Sequence, residues 1–245
     1  MNPIEQFQAE VRANILSLRG DSDVQALSRI WVREIARHKY AYNFSWLGRP
    51  AIQFPQDMVA MQELIWKIRP GAIIETGIAH GGSLVFSASM LELLKEDGIV
   101  IGIDVDIRPH NRAEIEKHPL AHRIRMIQGS SIDPSVVAQA RSMIPAGQPV
   151  LVVLDSNHTH DHVLHELRHY SPLVTRGSYL VVMDTLVEDM PDDLVTGRPW
   201  GKGNNPKTAV WEFLKTNDRF SIDKDLEAKL LITVAPDGYL QCVKD

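Results

Sequence analysis

The fold of this 245-residue chain is decided by residues 73–83, which read Ile73-Ile74-Glu75-Thr76-Gly77-Ile78-Ala79-His80-Gly81-Gly82-Ser83. A short apolar run ends in an acid, three glycines follow, and apolar residues at helical spacing continue from Leu84 to Leu94. This order predicts a strand, a tight turn and a helix whose free N–H groups and positive dipole end are directed into the turn. Glycines let such a turn bend sharply and let a ligand approach its backbone. The alternative is a glycine turn that only packs the strand against the helix.

Two nucleotide-type ligands bind at turns of this kind. Dinucleotide enzymes carry G-x-G-x-x-G with a ribose-binding acid about 20 residues further on. Here the spacing is Glu-x-Gly-x-x-x-Gly-Gly, and the next acid at a strand end is Asp104, 27 residues after Gly77. Both details favour S-adenosylmethionine, which has no phosphate but carries an amino-acid end. Glu75 would lie near its ammonium group, and Ser83 with the helix N–H groups would lie near its carboxylate.

Composition excludes several classes of protein. The formal net charge is −5 and no basic run occurs, which argues against a nucleic-acid partner. No stretch approaches the length of apolar residues that spans a membrane, and the first residues lack the order of a signal peptide. The single cysteine, Cys242, cannot form an internal disulfide and lies in a strand-like run. We therefore expect a cytoplasmic protein in which Cys242 is a buried apolar residue.

After the glycine turn, apolar runs of four to six residues alternate with helical segments. This pattern is typical of a parallel sheet covered by helices on both faces. We therefore expect an α/β fold with a doubly wound, mostly parallel sheet. The predicted strands after the first are 99–105, 124–127, 150–154 and 179–182, followed by a closing antiparallel hairpin of 230–234 with 239–243.

The residues before the sheet have a different character. Helix-type spacing at 5–19 and 23–39 predicts an N-terminal helical segment, and the aromatic stretch 40–47 follows it. That stretch is interpreted either as an anchoring arm packed on the core or another subunit, or as a wall of the substrate site. We assign residues 1–56 to this helical and aromatic arm and residues 57–245 to the ligand-binding domain.

Polar residues follow the predicted strands at the edge where ligands of such sheets bind. Asp104 could accept hydrogen bonds from both ribose hydroxyls of an adenosyl ligand, or it could be a solvated acid. Ser130 could border the adenine, although Ser130-Ser131 before Asp133 is also a capping signal. Asp155 and Asp184 end adjacent predicted strands, and two carboxylates so close together favour a cation. Mg²⁺ is the natural candidate, unless the two acids are independent.

A histidine cluster, His158-Thr159-His160-Asp161-His162, follows Asp155. A zinc site would need a recognised spacing or a cysteine pair, and neither is present. His158 is the member placed to face the cleft, whereas His160 and His162 are expected on the following loop or helix surface. A helix-capping role is the alternative for His158.

Five stretches of the chain resemble the cephalosporin hydroxylase/rhamnosyl O-methyltransferase family, whose members use S-adenosylmethionine and are assisted by Mg²⁺. The resemblance runs from about residue 39 to the C-terminus. The matching stretches are 43–50 (NFSWLGRP), 53–57 (QFPQD), 75–83 (ETGIAHGGS), 102–112 (GIDVDIRPHNR) and 177–185 (GSYLVVMDT).

The resemblance implies a seven-stranded class I methyltransferase sheet with an antiparallel last strand. It also implies that the glycine turn, with Gly77 and Gly81, and Asp104 hold the methyl donor. Asp155 and Asp184 match metal ligands, and we also place Asp155 beside the donor. His158 matches the general base of related sugar O-methyltransferases. The chain departs from the family at Met183, where a glutamate is usual. No iron site of the hydroxylase type is visible, so hydroxylation is not carried over.

The leading hypothesis is a Mg²⁺-assisted O-methyltransferase that uses S-adenosylmethionine and acts on a hydroxyl of a sugar or glycosylated natural product. Loops around 40–56 and 186–206 are the expected acceptor-binding segments. The alternatives are an NAD-type oxidoreductase and a non-catalytic donor-binding subunit that has lost its metal, which Met183 keeps open. The expected ligand is a small-molecule acceptor. We also expect a homo-oligomer, because the aromatic N-terminal segment could be buried in a subunit interface.

Overall fold

The computed structural model describes residues 2–245, and its centre is one seven-stranded sheet. The strand order is β5-β4-β3-β6-β7-β9-β8. The first five strands run parallel, and β9 pairs antiparallel with both β7 and β8. The predicted mostly parallel, class I methyltransferase-like sheet is therefore confirmed. The strands of this sheet are β3 (Ala72–Thr76), β4 (Ile99–Asp104), β5 (Ile124–Gln128), β6 (Val150–Leu154), β7 (Tyr179–Val182), β8 (Phe220–Ile222) and β9 (Tyr239–Cys242).

The central strands explain why the sheet is covered on both faces. Every residue of β3 and β6 is buried, so side chains pointing either way need an apolar layer above them. Ile73 and Leu151 belong to the core on one face, and Ile74 and Val152 belong to the core on the other. Since neighbouring residues of a strand point to opposite faces, the register of the sheet assigns each apolar residue to one of two cores.

Helices form both outer layers, and polar caps define where several of them begin. Asn2 and Asn205 each form a capping box, and Asp21 accepts hydrogen bonds from the first turn of the second helix. The helices are α1 (Pro3–Gly20), α2 (Ser22–Ala36), α3 (Pro55–Ile68), α4 (Gly82–Leu94), α5 (Pro109–Glu116), α6 (Pro134–Ser142), α7 (His160–Tyr170), α8 (Pro206–Thr216) and α9 (Lys224–Leu230). None of these helices has the length and apolar character needed to cross a membrane.

The predicted closing hairpin is wrong in one strand. Residues 230–234 form no strand, and β9 pairs instead with β8, which the sequence pattern did not reveal. Asp223 caps α9 by accepting from the Leu226 N–H, so the apolar residues before 231 are helical. The residues beyond α9 satisfy a buried acid: Thr233 and the Val234 N–H both donate to Asp57. The Val234 N–H is therefore bonded to a carboxylate and not to a neighbouring strand.

The segment between α2 and α3 packs against the sheet domain. It forms a short hairpin of β1 (Ser45–Trp46) and β2 (Arg49–Pro50). The Trp46 ring packs edge-on against Phe86 of α4, and its indole N–H donates to Ser89 at 2.9 Å. The hairpin therefore lies over the helix that follows the glycine turn. We call residues 44–54 the arm segment.

Candidate functional site

The first position of the glycine turn, Gly77, accommodates only glycine without strain. Gly77 has a φ of +90°, and a Cβ there would overlap the carbonyl oxygen of Asp155 at the end of β6. Gly81 has a φ of +80° and is the N-cap of α4, and Ala79 also lies in the left-handed region. The N–H groups at the start of α4 therefore remain free of a side-chain cap.

Asp104 ends β4 and holds this turn. One carboxylate oxygen accepts from the Ile78 N–H at 2.8 Å and from the Ala79 N–H at 3.4 Å, and the other accepts from the Asp106 N–H at 3.0 Å. The side chain also lines the large cavity described below. Its ribose-binding role stays a prediction, and the structure adds a second role in shaping the turn.

Glu75 and Ser83 contact each other across the turn. Glu75 is 3% exposed, and the Ser83 hydroxyl donates to it. Burial raises the pKa of Glu75 to about 7, and the bond from Ser83 only partly offsets this effect. The Ser83 hydroxyl, which we expected near a ligand carboxylate, thus donates its hydrogen bond to Glu75. A cation bound beside Glu75 would favour its ionised form.

A cavity of about 960 Å³ opens at the carboxyl edge of the parallel strands. It lies at the upper end of the range for ligand sites, roughly 300–1,000 Å³, and so has room for two ligands side by side. One half is bordered by the glycine turn, Asp104 and Ser130. The other half is mostly apolar and is formed by the end of α2, the residues between α2 and α3, and the loop between β7 and α8. Its lining includes Ala36, Tyr42, Ile52, Leu186, Val187, Met190, Leu194, Val195 and Trp200.

Asp155, His158 and Asp184 meet between the two halves. Each offers one ligand atom, and these atoms lie within 4.8 Å of one another. His158 Nε2 is 3.1 Å from a carboxylate oxygen of Asp184, and its ring lies edge-on to Trp200 with centroids 4.8 Å apart. Burial, followed by repulsion from Asp184, raises the pKa of Asp155 well above its usual value. The two predicted metal ligands and the predicted base are therefore brought together, and their charges favour a cation.

Met183 lies beside this cluster without contributing a ligand atom. Its side chain is 2% exposed and belongs to the core on one face of the sheet. Asp184, by contrast, has a φ of +55°, a left-handed conformation in which its side chain reaches the cavity. Met183 also borders the cavity, so its side chain lies where the core meets the site.

The remaining histidines of the cluster differ in position. His160 is used structurally, with Nδ1 2.8 Å from the Thr208 hydroxyl and Nε2 3.1 Å from Glu212. The expectation that His162 lies on the surface is wrong: its side chain is 18% exposed and lines the cavity. Its Nε2 lies 3.0 Å from the Ser131 hydroxyl and 3.2 Å from the Ser156 hydroxyl. His162 lies on the inward face of α7, and the helical periodicity of the sequence already indicated this direction.

Behind His162 lies a fully buried acid that the sequence analysis missed. Glu166 accepts from the Ser156 hydroxyl at 2.7 Å and is 3.5 Å from His162 Nε2. Its other carboxylate oxygen has no hydrogen-bond partner among residues 2–245. The spacing of four residues between His162 and Glu166 on α7 places both on one helix face, which is the sequence signal for this pair.

Comparison with known proteins gives a consistent result. Residues 38–243 match the family described as Rhamnosyl O-methyltransferase/CmcI. A rhamnosyl O-methyltransferase of Mycobacterium bovis (strain BCG / Pasteur 1173P2) is 28% identical over 215 residues, which cover 83% of this chain and 82% of that protein. The similarity extends over the glycine turn, the acid cluster and the sheet that carries them.

Solved structures resemble this one in fold. The apo-structure of CmcI aligns with a TM-score of 0.60 at 21% identity and covers 83% of this chain and 78% of its own. A CmcI structure with Mg and SAM aligns with a TM-score of 0.57 at 19% identity and with the same coverage. At these identities the likeness establishes the arrangement of the sheet and helices.

Proposed function

The chain belongs to the Rhamnosyl O-methyltransferase/CmcI family and is an S-adenosylmethionine-dependent O-methyltransferase, and on that premise we propose that it methylates a hydroxyl of a sugar or glycosylated natural product. The membership overturns the two alternatives left open by the sequence, an NAD-type oxidoreductase and a non-catalytic subunit. The observation that carries the proposal is the acid–histidine cluster between the glycine turn and the apolar half of the cavity. An acceptor in that half would place its hydroxyl at the cluster.

The residues of the cluster fit a magnesium ion. Two carboxylates, Asp155 and Asp184, converge there, and burial, followed by repulsion from Asp184, raises the pKa of Asp155. Oxygen ligands from one or two carboxylates, completed by water, are the usual protein share of a Mg²⁺ site. We propose that these two acids hold the ion. His158 is a poorer ligand for Mg²⁺ than for softer metals, which leaves it free for another task.

Each group of the site then has a chemical task. When bound, S-adenosylmethionine supplies an activated methyl group, and Mg²⁺ polarises the acceptor hydroxyl. Glu75 pairs with the donor ammonium, and Asp104 accepts from the ribose while holding the turn. His158 would take the hydroxyl proton as the methyl group passes from the donor sulfur to the acceptor oxygen, which leaves S-adenosylhomocysteine. With its Nε2–H donated to Asp184, Nδ1 is the ring nitrogen left to accept that proton.

The acceptor class is tested with a rhamnoside and matched compounds. We expect p-nitrophenyl rhamnoside, incubated with the protein, S-adenosylmethionine and Mg²⁺, to gain one methyl group on the sugar, measured by mass spectrometry. p-Nitrophenol and catechol, which offer hydroxyls without a sugar, should remain unmodified. Methylation of catechol in preference to the rhamnoside would show that the acceptor is not a sugar.

Donor affinity should depend on the protonation of Glu75. Because burial raises the pKa of Glu75 to about 7, the free protein must release a proton there before it binds an ammonium group. We therefore expect the affinity for S-adenosylhomocysteine to rise as the pH increases through about 7 and to level off once Glu75 is ionised. Isothermal titration between about pH 5.5 and 8 measures this dependence.

A matched pair of variants separates Glu75 from other acids. Glu75→Gln should bind about 10- to 100-fold more weakly at the alkaline end and lose the pH dependence, since a charge-assisted bond is removed. Glu63→Gln is the control, because Glu63 is an acid on α3 that pairs with Lys229 outside the cavity lining. Wild-type affinity in Glu75→Gln would place the donor ammonium elsewhere.

Restoring an acid at position 183 should strengthen metal binding. A thioether does not hold Mg²⁺, so Met183→Glu adds a third carboxylate where the family usually has one. We expect the Mg²⁺ concentration that gives half-maximal turnover to fall about 10-fold, because ligand charge count tunes affinity. EDTA should abolish wild-type turnover, and added Mg²⁺ should restore it.

Thermal unfolding gives a readout of the same site that needs no turnover. Without Mg²⁺ the buried glutamate of Met183→Glu should lower the melting temperature, and Mg²⁺ should raise it more than in the wild type. Met183→Gln is the matched neutral control and should show no added response to Mg²⁺. Equal responses in Met183→Glu and Met183→Gln, or full wild-type activity in EDTA, would mean that the protein does not use the metal.

We also propose that the chain forms a homo-oligomer through the N-terminal helices. No residue of α1 is buried, and large apolar side chains are exposed on both helices. Exposed large apolar side chains grouped on two successive helices favour a protein interface. Sedimentation velocity should therefore show an oligomer that Phe7→Glu converts toward monomer, whereas Leu93→Glu, on α4, should not. The exposed side chains are Ile4, Phe7, Leu16, Leu27, Ile30 and Trp31.

A further inference from the structure

The glycine turn exposes two backbone carbonyls that the backbone does not satisfy. The Ala79 carbonyl accepts from the side-chain amide of Asn111 at 2.8 Å. The His80 carbonyl accepts twice from Arg49, from Nε at 2.9 Å and from Nη2 at 2.7 Å. Arg49 Nη2 also donates to the Asn111 oxygen at 2.9 Å, so the two side chains act as one unit. We call this unit the Arg49–Asn111 clamp.

The clamp joins three segments that are distant in the sequence. Arg49 lies on β2 of the arm segment, 31 residues before His80, and Asn111 lies on α5, 32 residues after Ala79. Asn111 is 3% exposed, so its amide is held by these bonds and not by water. The arm segment also touches α4, where a Cβ on Gly82 would overlap the Pro50 carbonyl oxygen. The arm segment therefore contacts the C-terminal part of the turn, at His80 and Gly82.

Arg49 forms no ion pair with any residue of the described chain, 2–245. Among residues 2–245 no carboxylate lies within 4.0 Å of its guanidinium, although the side chain is partly buried. A partly buried cation without an ion pair is costly unless its donors are used. Its planar fork reaches one carbonyl with two nitrogens and an amide oxygen as well, a geometry that lysine cannot reproduce.

The turn needs external support because its backbone is unfavourable. Ala79 has a φ of +45°, and a non-glycine residue persists in the left-handed region only where the surroundings determine it. Asp104 holds the N–H groups of residues 78 and 79, and the clamp holds the carbonyls of residues 79 and 80. Gly77, Ala79 and His80 line the cavity half assigned to the donor. The position of that wall thus depends on both supports.

We propose that Arg49 is a positioning residue that sets the donor-binding turn in its ligand-ready conformation, acting with Asn111. The inference rests on the proposed function in one respect, that the donor binds at this turn. Arg49 itself lies outside the cavity lining, so its effect is transmitted through the His80 and Ala79 carbonyls. Loss of the clamp should relax the turn while the Trp46–Phe86 contact keeps the arm segment docked.

The test compares donor binding with stability and with acceptor use. In Arg49→Met, which keeps the aliphatic stem, the Kd for S-adenosylhomocysteine measured by titration should rise about 10- to 100-fold, because a misplaced binding wall loses affinity steeply. Arg49→Lys, which offers a single donor direction, should give an intermediate Kd. The KM for the acceptor should change less than twofold, because the clamp does not touch the apolar half.

Two controls make the outcomes distinct. Arg69→Met removes an arginine that pairs with Glu96 outside the cavity lining and should leave the Kd unchanged. Asn111→Asp keeps an acceptor for Arg49 but loses the donor to the Ala79 carbonyl, so its Kd should also rise. An unchanged Kd in Arg49→Met, or a fall in melting temperature with no change in Kd, would overturn the inference. Absence of binding in the wild type would instead overturn the proposed donor site.

Discussion

Replacing His158 with alanine should lower the turnover rate by about 10²- to 10⁴-fold, the usual contribution of a positioned general base. A sugar hydroxyl is too weak an acid to ionise at neutral pH, so its proton must leave as the methyl group arrives. His158 lies 3.1 Å from Asp184, which fixes one ring nitrogen, and beside Trp200, which limits rotation of the ring. Donor affinity, measured by titration with S-adenosylhomocysteine, should remain at the wild-type value because the proposed task of His158 concerns the acceptor hydroxyl.

The same variant distinguishes two tasks that the cluster allows for His158. As a base, its loss lowers turnover at every Mg²⁺ concentration without changing the concentration that gives half-maximal rate. As a metal ligand, its loss raises that concentration, and excess Mg²⁺ restores the rate. We expect the first pattern for His158→Ala and the second for Asp184→Asn. His165→Ala, on the exposed side of α7, is the control and should behave as the wild type. Near-normal turnover in His158→Ala would leave the residue a structural role only.

The sheet could be predicted because its strands are short, apolar and separated by helices. The predicted strands 150–154 and 179–182 agree with β6 and β7 at both ends. The error at 230–234 has a physical cause that lies far away in the chain. Asp57 on α3, buried under this segment, takes hydrogen bonds from Thr233 and Val234, and no local pattern reveals such a partner. The three-residue strand β8 is also too short to give a periodic signal.

The site residues at the ends of strands could be predicted from the sequence. The contacts between side chains distant in the sequence could not. Asp155 and Asp184 end neighbouring strands, so the topology alone brings their carboxylates to one edge. The Arg49–Asn111 clamp joins residues 62 positions apart, and its existence depends on how the arm segment folds over α4. His162 lay within a recognised cluster, and the helical periodicity of α7 was the signal for its inward direction.

Replacing Gly77 with alanine should abolish detectable donor binding and weaken the fold. Gly77 has a φ of +90°, and its added Cβ would overlap the carbonyl oxygen and carbon of Asp155. The combined strain and overlap should lower the free energy of unfolding by about 2–5 kcal/mol. Relief of the overlap requires β3 and β6 to separate at their carboxyl ends, which displaces both the turn and Asp155. We therefore expect the affinity for S-adenosylhomocysteine to fall at least about 100-fold, because small displacements of a binding wall have large effects.

A second glycine isolates the overlap from the backbone strain. Gly177 has nearly the same φ, +85°, but nothing lies within 4 Å of a Cβ built on it, and it does not border the cavity. Gly177→Ala should therefore cost only the strain of a left-handed alanine, about 1–2 kcal/mol, with unchanged donor affinity. Denaturant unfolding and titration on both variants give the comparison. If Gly77→Ala bound S-adenosylhomocysteine as tightly as Gly177→Ala, the donor could not contact the glycine turn, because the Gly77→Ala substitution must displace that turn.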